Sequence, residues 1–208
     1  MIDHLVYATP DLEGSIGELR DRFGVALVPG GRHAGMGTRN YLGGLGGGAY
    51  LEVIGPDPDQ PDPERPRPFG LDALTGPRLV AWAARVHDLD TAVDRARAHG
   101  VDPGRATAMT RTRPDGVRLA WRLALPPDLL EFGGPAPFLI DWGSSPHPAA
   151  DAEVGLRLVS FEGAHPDPAE ARRRLVALGV EGDLPVGEAA APGLRAVIDG
   201  PAGPVELT

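Results

Sequence analysis

Residues 10–25 read PDLEGSIGELRDRFGV, and the punctuation of this stretch recurs twice along the chain, as HDLDTAVDRARAHGV (87–101) and PDPAEARRRLVALGV (166–180). Each segment carries an early aspartate, Asp11, Asp88 or Asp167, and closes on Gly-Val. A short carboxylate accepts hydrogen bonds from the unpaired N–H groups of a first helical turn, and glycine adopts the left-handed conformation that ends a helix. The aspartate-to-glycine spacing is 13, 12 and 12 residues. It predicts three helices of about three turns each.

Working outward, every helical segment follows a strand-like run: IDHLVYA (2–8), RLVAWAARV (78–86) and VGLRLVSF (154–161). After each helix come further short strands that end in another apolar run: AYLEVIG (49–55), PFLIDWG (137–143) and GPVELT (203–208). The chain therefore reads as three β-α-β-β-β copies, with RPDG (113–116) as a hairpin turn in the middle one. Proline-rich segments, in which ladder donors are missing, separate them. The expected boundaries are a first module at 1–55, a linker at 56–77, a second module at 78–143, a linker at 144–153 and a third, more divergent module at 154–208. One such unit cannot cover the concave face of its own sheet. The expected fold class is α+β, with repeated βαβββ modules forming curled mixed sheets around a cavity. The third copy would pair within the chain or across a homodimer.

Composition narrows the chemistry. The 208 residues are 42% hydrophobic, enough for a substantial core. Net charge is −9, all 20 basic residues are arginine, and they are scattered apart from RRR at 172–174. No basic face is evident, so nucleic acid and membrane are not expected partners; a small-molecule ligand is. The absence of cysteine and lysine removes disulfides, thiolate nucleophiles, Schiff bases and the P-loop lysine. The sequence opens directly on a strand pattern, and the simplest expectation is a cytoplasmic protein.

Two ionisable residues sit inside apolar strand patterns, His4 in IDHLVY (2–7) and Glu52 in YLEVIG (50–55). Alternation places Ile2, His4 and Val6 on one face, and Tyr50, Glu52 and Ile54 on one face. If both faces look inward, the imidazole and the carboxylate meet. The glycine-rich stretch GGRHAGMGTRN (30–40) brings His33, Arg39 and Asn40 to a cavity rim. Trp82, Trp121 and Trp142 lie in strand runs; Trp121 and Trp142 are candidate substrate-binding walls. GGLGGGA (43–49) matches a dinucleotide fingerprint in letters only, because a strand follows it and not a helix. No G-x-S-x-G is present, and Ser144 and Ser145 lie in a proline-rich linker without a paired histidine.

The β-α-β-β-β plan, with His on a first strand and Glu on a fourth, resembles the vicinal oxygen chelate superfamily. The stretches IDHLVYATPDL, GGRHAGMGTRNYLGGLG, YLEVIGPDP, RPDGVRLAW and PFLIDWG resemble its glyoxalase-like domain proteins over roughly residues 1–143. The resemblance implies metal ligands on the first and fourth strands of paired modules. His4 and Glu52 match two such positions, and the counterparts of Glu52 are approximately Asp141 and Glu206. The later copies carry Ala81 and Ser160 where a second histidine would stand, so a further imidazole would have to come from His33 or His147. What the resemblance implies is a metal-dependent enzyme of lyase or isomerase type, using a divalent ion (Zn, Fe, Mn, Co or Ni). It would act on a small oxygenated organic molecule through an enolate or oxyanion. Glu52 would be ligand and base, His33 would be catalytic, and Arg39 and Asn40 would orient substrate. The missing second histidine keeps open a different reading, a metal-free module that binds or sequesters a small molecule, and the extra copy a third, an interaction protein.

Overall fold

The helices form where the caps are. In the computed structural model, which describes residues 1–113, 115–152 and 154–208, α1 (Leu12–Phe23), α2 (Leu89–Ala98) and α3 (Pro168–Leu178) start on Asp11, Asp88 and Asp167. Each of these carboxylates accepts from a backbone N–H three residues on, that of Gly14, Thr91 or Glu170. Gly24, Gly100 and Gly179 all take positive φ just past the helix ends. Around α1 run the strands β1 (Ile2–Ala8), β2 (Val28–His33), β3 (Thr38–Gly46) and β4 (Ala49–Pro56). Around α2 run β5 (Arg78–Arg85), β6 (Ala106–Thr112), β7 (Arg118–Ala124) and β8 (Phe138–Asp141). The last segment adds β9 (Arg157–His165), β10 (Val186–Glu188), β11 (Gly193–Gly200) and β12 (Gly203–Leu207). Of the RPDG turn, Pro114 lies outside the described residues; across it Thr112 pairs with Arg118.

The first eight strands make one sheet in the order β2-β3-β4-β1-β5-β8-β7-β6. In each half the fourth strand runs parallel to the first, β4 beside β1 and β8 beside β5, and the halves join through an antiparallel β1–β5 pair. The sheet curls until its two edges approach. A Cβ added at Gly31 on β2 would stand 3.0 Å from the Thr112 carbonyl at the end of β6.

The last segment has the same element order but a different pairing. Its sheet runs β10-β9-β11-β12, so the final strand lies at an edge and not beside the first. This sheet covers the convex side of the large one. Trp82 of β5 meets Phe161 of β9 edge-on at 5.7 Å, its indole N–H donates to the Pro135 carbonyl at 3.2 Å, and the Leu79 N–H donates to the Thr208 carbonyl. The third segment therefore needs no second chain to bury its apolar face. Leu5, Leu51, Val53, Leu79 and Trp82 belong to this outer core, while Val6, Ile54, Val80, Phe138 and Ile140 line the concave side. No helix among the described residues is long and apolar enough to cross a membrane.

Candidate active site

The concave face encloses a cavity of about 250 Å³. Its walls are mostly apolar: Phe69, Met109, Trp121, Leu123, Phe138, Ile140 and Trp142. Its polar end is made by His4, His33, Asn40, Glu52 and Arg111. Pro68 and Phe69, in the proline-rich connection where two short 3₁₀ turns within Pro68–Ala73 meet at a kink, reach the same space. Phe69 is the single non-glycine residue with positive φ among those described, 59°, a conformation unfavourable for a bulky side chain. Its ring lies 5.9 Å from Phe138.

The imidazole of His4 and the carboxylate of Glu52 do meet. His4 Nε2 stands 3.6 Å from Glu52 Oε2, with both residues buried. The other ring nitrogen, Nδ1, lies 2.7 Å from Asp3 Oδ1. Asp3 is fully buried. Neighbours on a regular strand face opposite ways, yet the register slips between Ile2 and His4 against Ala84 and Ala83. This bulge turns the Asp3 carboxylate to the side of the His4 ring.

Four donors converge on that carboxylate. Besides His4, they are Arg85 Nε at 2.7 Å, His147 Nε2 at 2.9 Å and Trp142 Nε1 at 3.1 Å. Burial alone would raise the Asp3 pKa, but the hydrogen bonds from His147 and His4, with the charge those imidazoles can carry, outweigh it and hold the carboxyl far below its ordinary value. An ionised carboxylate only accepts, so His4 carries a proton on Nδ1 and turns Nε2 toward the cavity and Glu52. The backbone N–H of Ala149 donates to His147 Nδ1, which leaves the Nε2 proton of that ring for Asp3. Tyr50 stacks on His4 with centroids 4.6 Å apart. Burial, and the negative charges of Asp3 and Glu52, push its phenol well above its usual pKa, so it stays neutral.

On the other side of Glu52, Asn40 donates to Oε1 at 2.5 Å and accepts from Arg111 NH1 at 3.2 Å through its own carbonyl oxygen. His33 Nε2 is 3.8 Å from Glu52 Oε1, and His33 Nδ1 pairs with the Thr38 hydroxyl at 2.9 Å. Burial lowers the His33 pKa against the upward pull of Glu52, and Arg111 lowers it further. His33 is thus a neutral imidazole at pH 7.

Three expected site residues lie elsewhere. Asp141 alternates with Ile140 and Trp142, which turn inward; its own carboxylate accepts from the Gly143 N–H at 2.8 Å and faces away from the cavity. Glu206, on the edge strand β12, is exposed and pairs with Arg195 at 2.6 Å. Arg39 follows the same rule of alternation: Asn40 faces the cavity, so Arg39 faces the outer layer and binds Glu13 of α1 at 2.7 Å. Glu52, His33, Asn40, His4, Trp121 and Trp142 all border the cavity. Asp3, Arg85 and Arg111 were not expected there. An aspartate beside His4 in an apolar strand was the available signal for Asp3, and alternation of Thr107, Met109 and Arg111 the one for Arg111.

The donor set does not fit a metal site shared between paired modules. Among the described residues no three His, Cys, Asp or Glu side chains are grouped to hold an ion. The β5 and β8 positions that would supply the second half are Ala81, Ala83, Phe138 and Ile140. The Asn40 amide already occupies one Glu52 oxygen, and Arg111 brings a positive charge to the same end of the cavity.

Comparisons with known proteins agree with this architecture. Residues 2–179 match the model of the glyoxalase-like domain. No curated protein matches. A hypothetical protein from Staphylococcus aureus superposes with a TM-score of 0.63 at 12% identity, over 92% of this chain and 87% of that one, a likeness of fold alone. Methylmalonyl-CoA epimerase from Mycobacterium tuberculosis gives 0.44 at 22% identity (72% and 91% covered), and a Streptomyces coelicolor methylmalonyl-CoA epimerase 0.45 at 17% (69% and 97%). Those two likenesses are too loose to bear on the chemistry here. With the family match spanning most of its length, the chain belongs to the glyoxalase-like domain family.

Proposed function

We propose that the chain is a glyoxalase-like enzyme that moves a proton at a carbon beside a carbonyl in a small oxygenated molecule, by an isomerase- or lyase-type reaction. One observation carries this reading: an imidazole nitrogen and a carboxylate oxygen face each other across 3.6 Å at the polar end of an apolar cavity. Glu52 takes the proton from carbon, leaving the electron pair as an enolate. His4 Nε2 accepts that proton from Glu52, and Asp3 stabilises the resulting imidazolium. The same path returns the proton to carbon or to the neighbouring oxygen. Asn40 holds the Glu52 carboxylate in place, and neutral His33 can donate or accept at the substrate oxygen.

Proton exchange tests the reaction without knowledge of the product. Small 2-oxo and 2-hydroxy acids and their aldehyde analogues, incubated in deuterated buffer, exchange carbon-bound hydrogen in the presence of the chain, followed by NMR. The Glu52→Gln variant lowers the rate by about a hundredfold or more. A compound that binds and never exchanges would favour the second reading, a sequestering protein, for which the aromatic walls of Trp121, Trp142 and Phe138 speak.

A further inference from the structure

We infer that Arg111 is the receptor for a carboxylate on the ligand, so that the substrate class is small monoanionic organic acids with an apolar body. The inference rests on the cavity being the ligand site proposed above. Arg111 is 5% exposed, lies on the cavity wall, and forms no salt bridge among the described residues. Its one side-chain hydrogen bond among the described residues, from NH1 to the Asn40 carbonyl oxygen, leaves the rest of the guanidinium fork without an acceptor among them. A buried guanidinium keeps its charge, and a charge taken out of water needs a counter-ion. The fold makes room for this one. A Cβ at Gly30 would stand 2.6 Å from Arg111 NH1 and 2.3 Å from Asn40 Oδ1, and at Gly31 it would stand 3.3 Å from Arg111 Cδ. Paired glycines at the β2–β6 seam therefore let a long cation lie between two sheet edges.

The charge balance selects the anion. At the polar end of the cavity Arg111 is set against Glu52, His33 is held neutral, and no second guanidinium among the described residues lines this space. A dianionic phosphate would find one cation and one carboxylate. A carboxylate matches the planar fork in two parallel hydrogen bonds. Asn40 bridges Arg111 and Glu52 through a single amide group, so an acid seated on Arg111 brings the carbon next to its carboxylate toward Glu52. The apolar body then runs along Met109 and Trp121.

Trp121 and Trp142 on the cavity wall report binding through intrinsic fluorescence. The full chain is titrated with phenylpropanoate and isocaproate, with the primary amides of both, and with inorganic phosphate. The acids bind about tenfold to a hundredfold more tightly than the amides, the gain of a charge-assisted pair. Arg111→Gln abolishes the difference, and Arg111→Lys, which keeps charge without the fork, retains part of it. Equal binding of acid and amide by the wild type overturns the inference while leaving the cavity as a site, and this comparison decides even if the variants do not fold. Phosphate binding as tightly as the acids also overturns it. If no probe changes the fluorescence, the inference and the cavity's role as ligand site fall together; acid binding without proton exchange sinks only the reaction.

Discussion

Replacing Asp3 by asparagine probes the arrangement behind the candidate site. The carboxylate has no exposure and receives hydrogen bonds from His4, His147, Arg85 and Trp142. Asparagine keeps one acceptor oxygen but places an amide N–H₂ among donors and removes the charge opposite Arg85. Breaking a buried pair by removing one partner costs about 3–5 kcal/mol. Arg85 is 19% exposed at its side chain and also donates to the Gly48 carbonyl, so the lower end, about 3 kcal/mol, is expected. With a denaturant slope of about 2 kcal/mol per molar urea, the midpoint falls by about 1.5 M. Tryptophan fluorescence follows the transition. The pH dependence is fixed by sign: burial raises the Asp3 pKa, the hydrogen bonds lower it by more, and the folded value lies below the unfolded one. The stabilisation is therefore complete above about pH 4, the unfolded value, and is lost only as pH falls toward the folded one. Between pH 5 and 8 the difference between wild type and Asp3→Asn does not shrink, because the carboxyl stays ionised throughout that window. A midpoint shift below about 0.5 M, or a difference that shrinks between pH 8 and 5, would refute the four-donor account.

Four further outcomes follow. His33 has a lowered folded pKa, so the unfolded chain binds its proton first; stability falls as pH drops below about 6.5, and His33→Gln, measured by urea melts at pH 7 and 5, shows a smaller fall. Gly30→Ala, which must push aside Asn40 and Arg111, destabilises by about 1–3 kcal/mol and weakens acid binding in the fluorescence titration. Gly17→Ala in α1, where an added Cβ meets nothing within 4 Å, raises stability by about 0.5–1 kcal/mol, whereas Gly104→Ala, with φ of 88° and a Cβ 1.9 Å from the Leu125 carbonyl, lowers it; thermal melts separate the two signs. Exhaustive chelation leaves the proton-exchange rate within about twofold, and added divalent ions shift the melting point by no more than a nonspecific control salt.

What was legible in the sequence was local. Helix caps depend on a few adjacent residues, and Asp11, Asp88 and Asp167 with their closing glycines announced all three helices. Alternation along β1 and β4 also brought His4 to Glu52, because both strands lie side by side in one sheet. Reading by position failed where pairing order or phase mattered. Glu206 was aligned with Glu52 by element count, but β12 ends at a sheet edge while β4 lies inside. Asp141 stands one residue out of phase with the inward set of Phe138, Ile140 and Trp142. Arg39 and Asn40 could not both face the cavity from adjacent positions on a strand. Asp3 reverses the lesson. Strict alternation would send it outward, and the bulge that brings it back is a property of the β1–β5 partnership, invisible in either strand alone.

That bulge also decides which distances can breathe. Asp3 and His4 are consecutive, so peptide geometry tethers acid to ring whatever the sheet does around them. Glu52 belongs to the adjoining strand and is joined to His4 through interstrand bonds only. Any splaying of β1 from β4 to admit a bulkier guest would widen the gap between Glu52 and the imidazole while leaving the tautomer of His4 untouched. Tolerance for ligand size and control of the proton are thereby assigned to separate parts of the backbone.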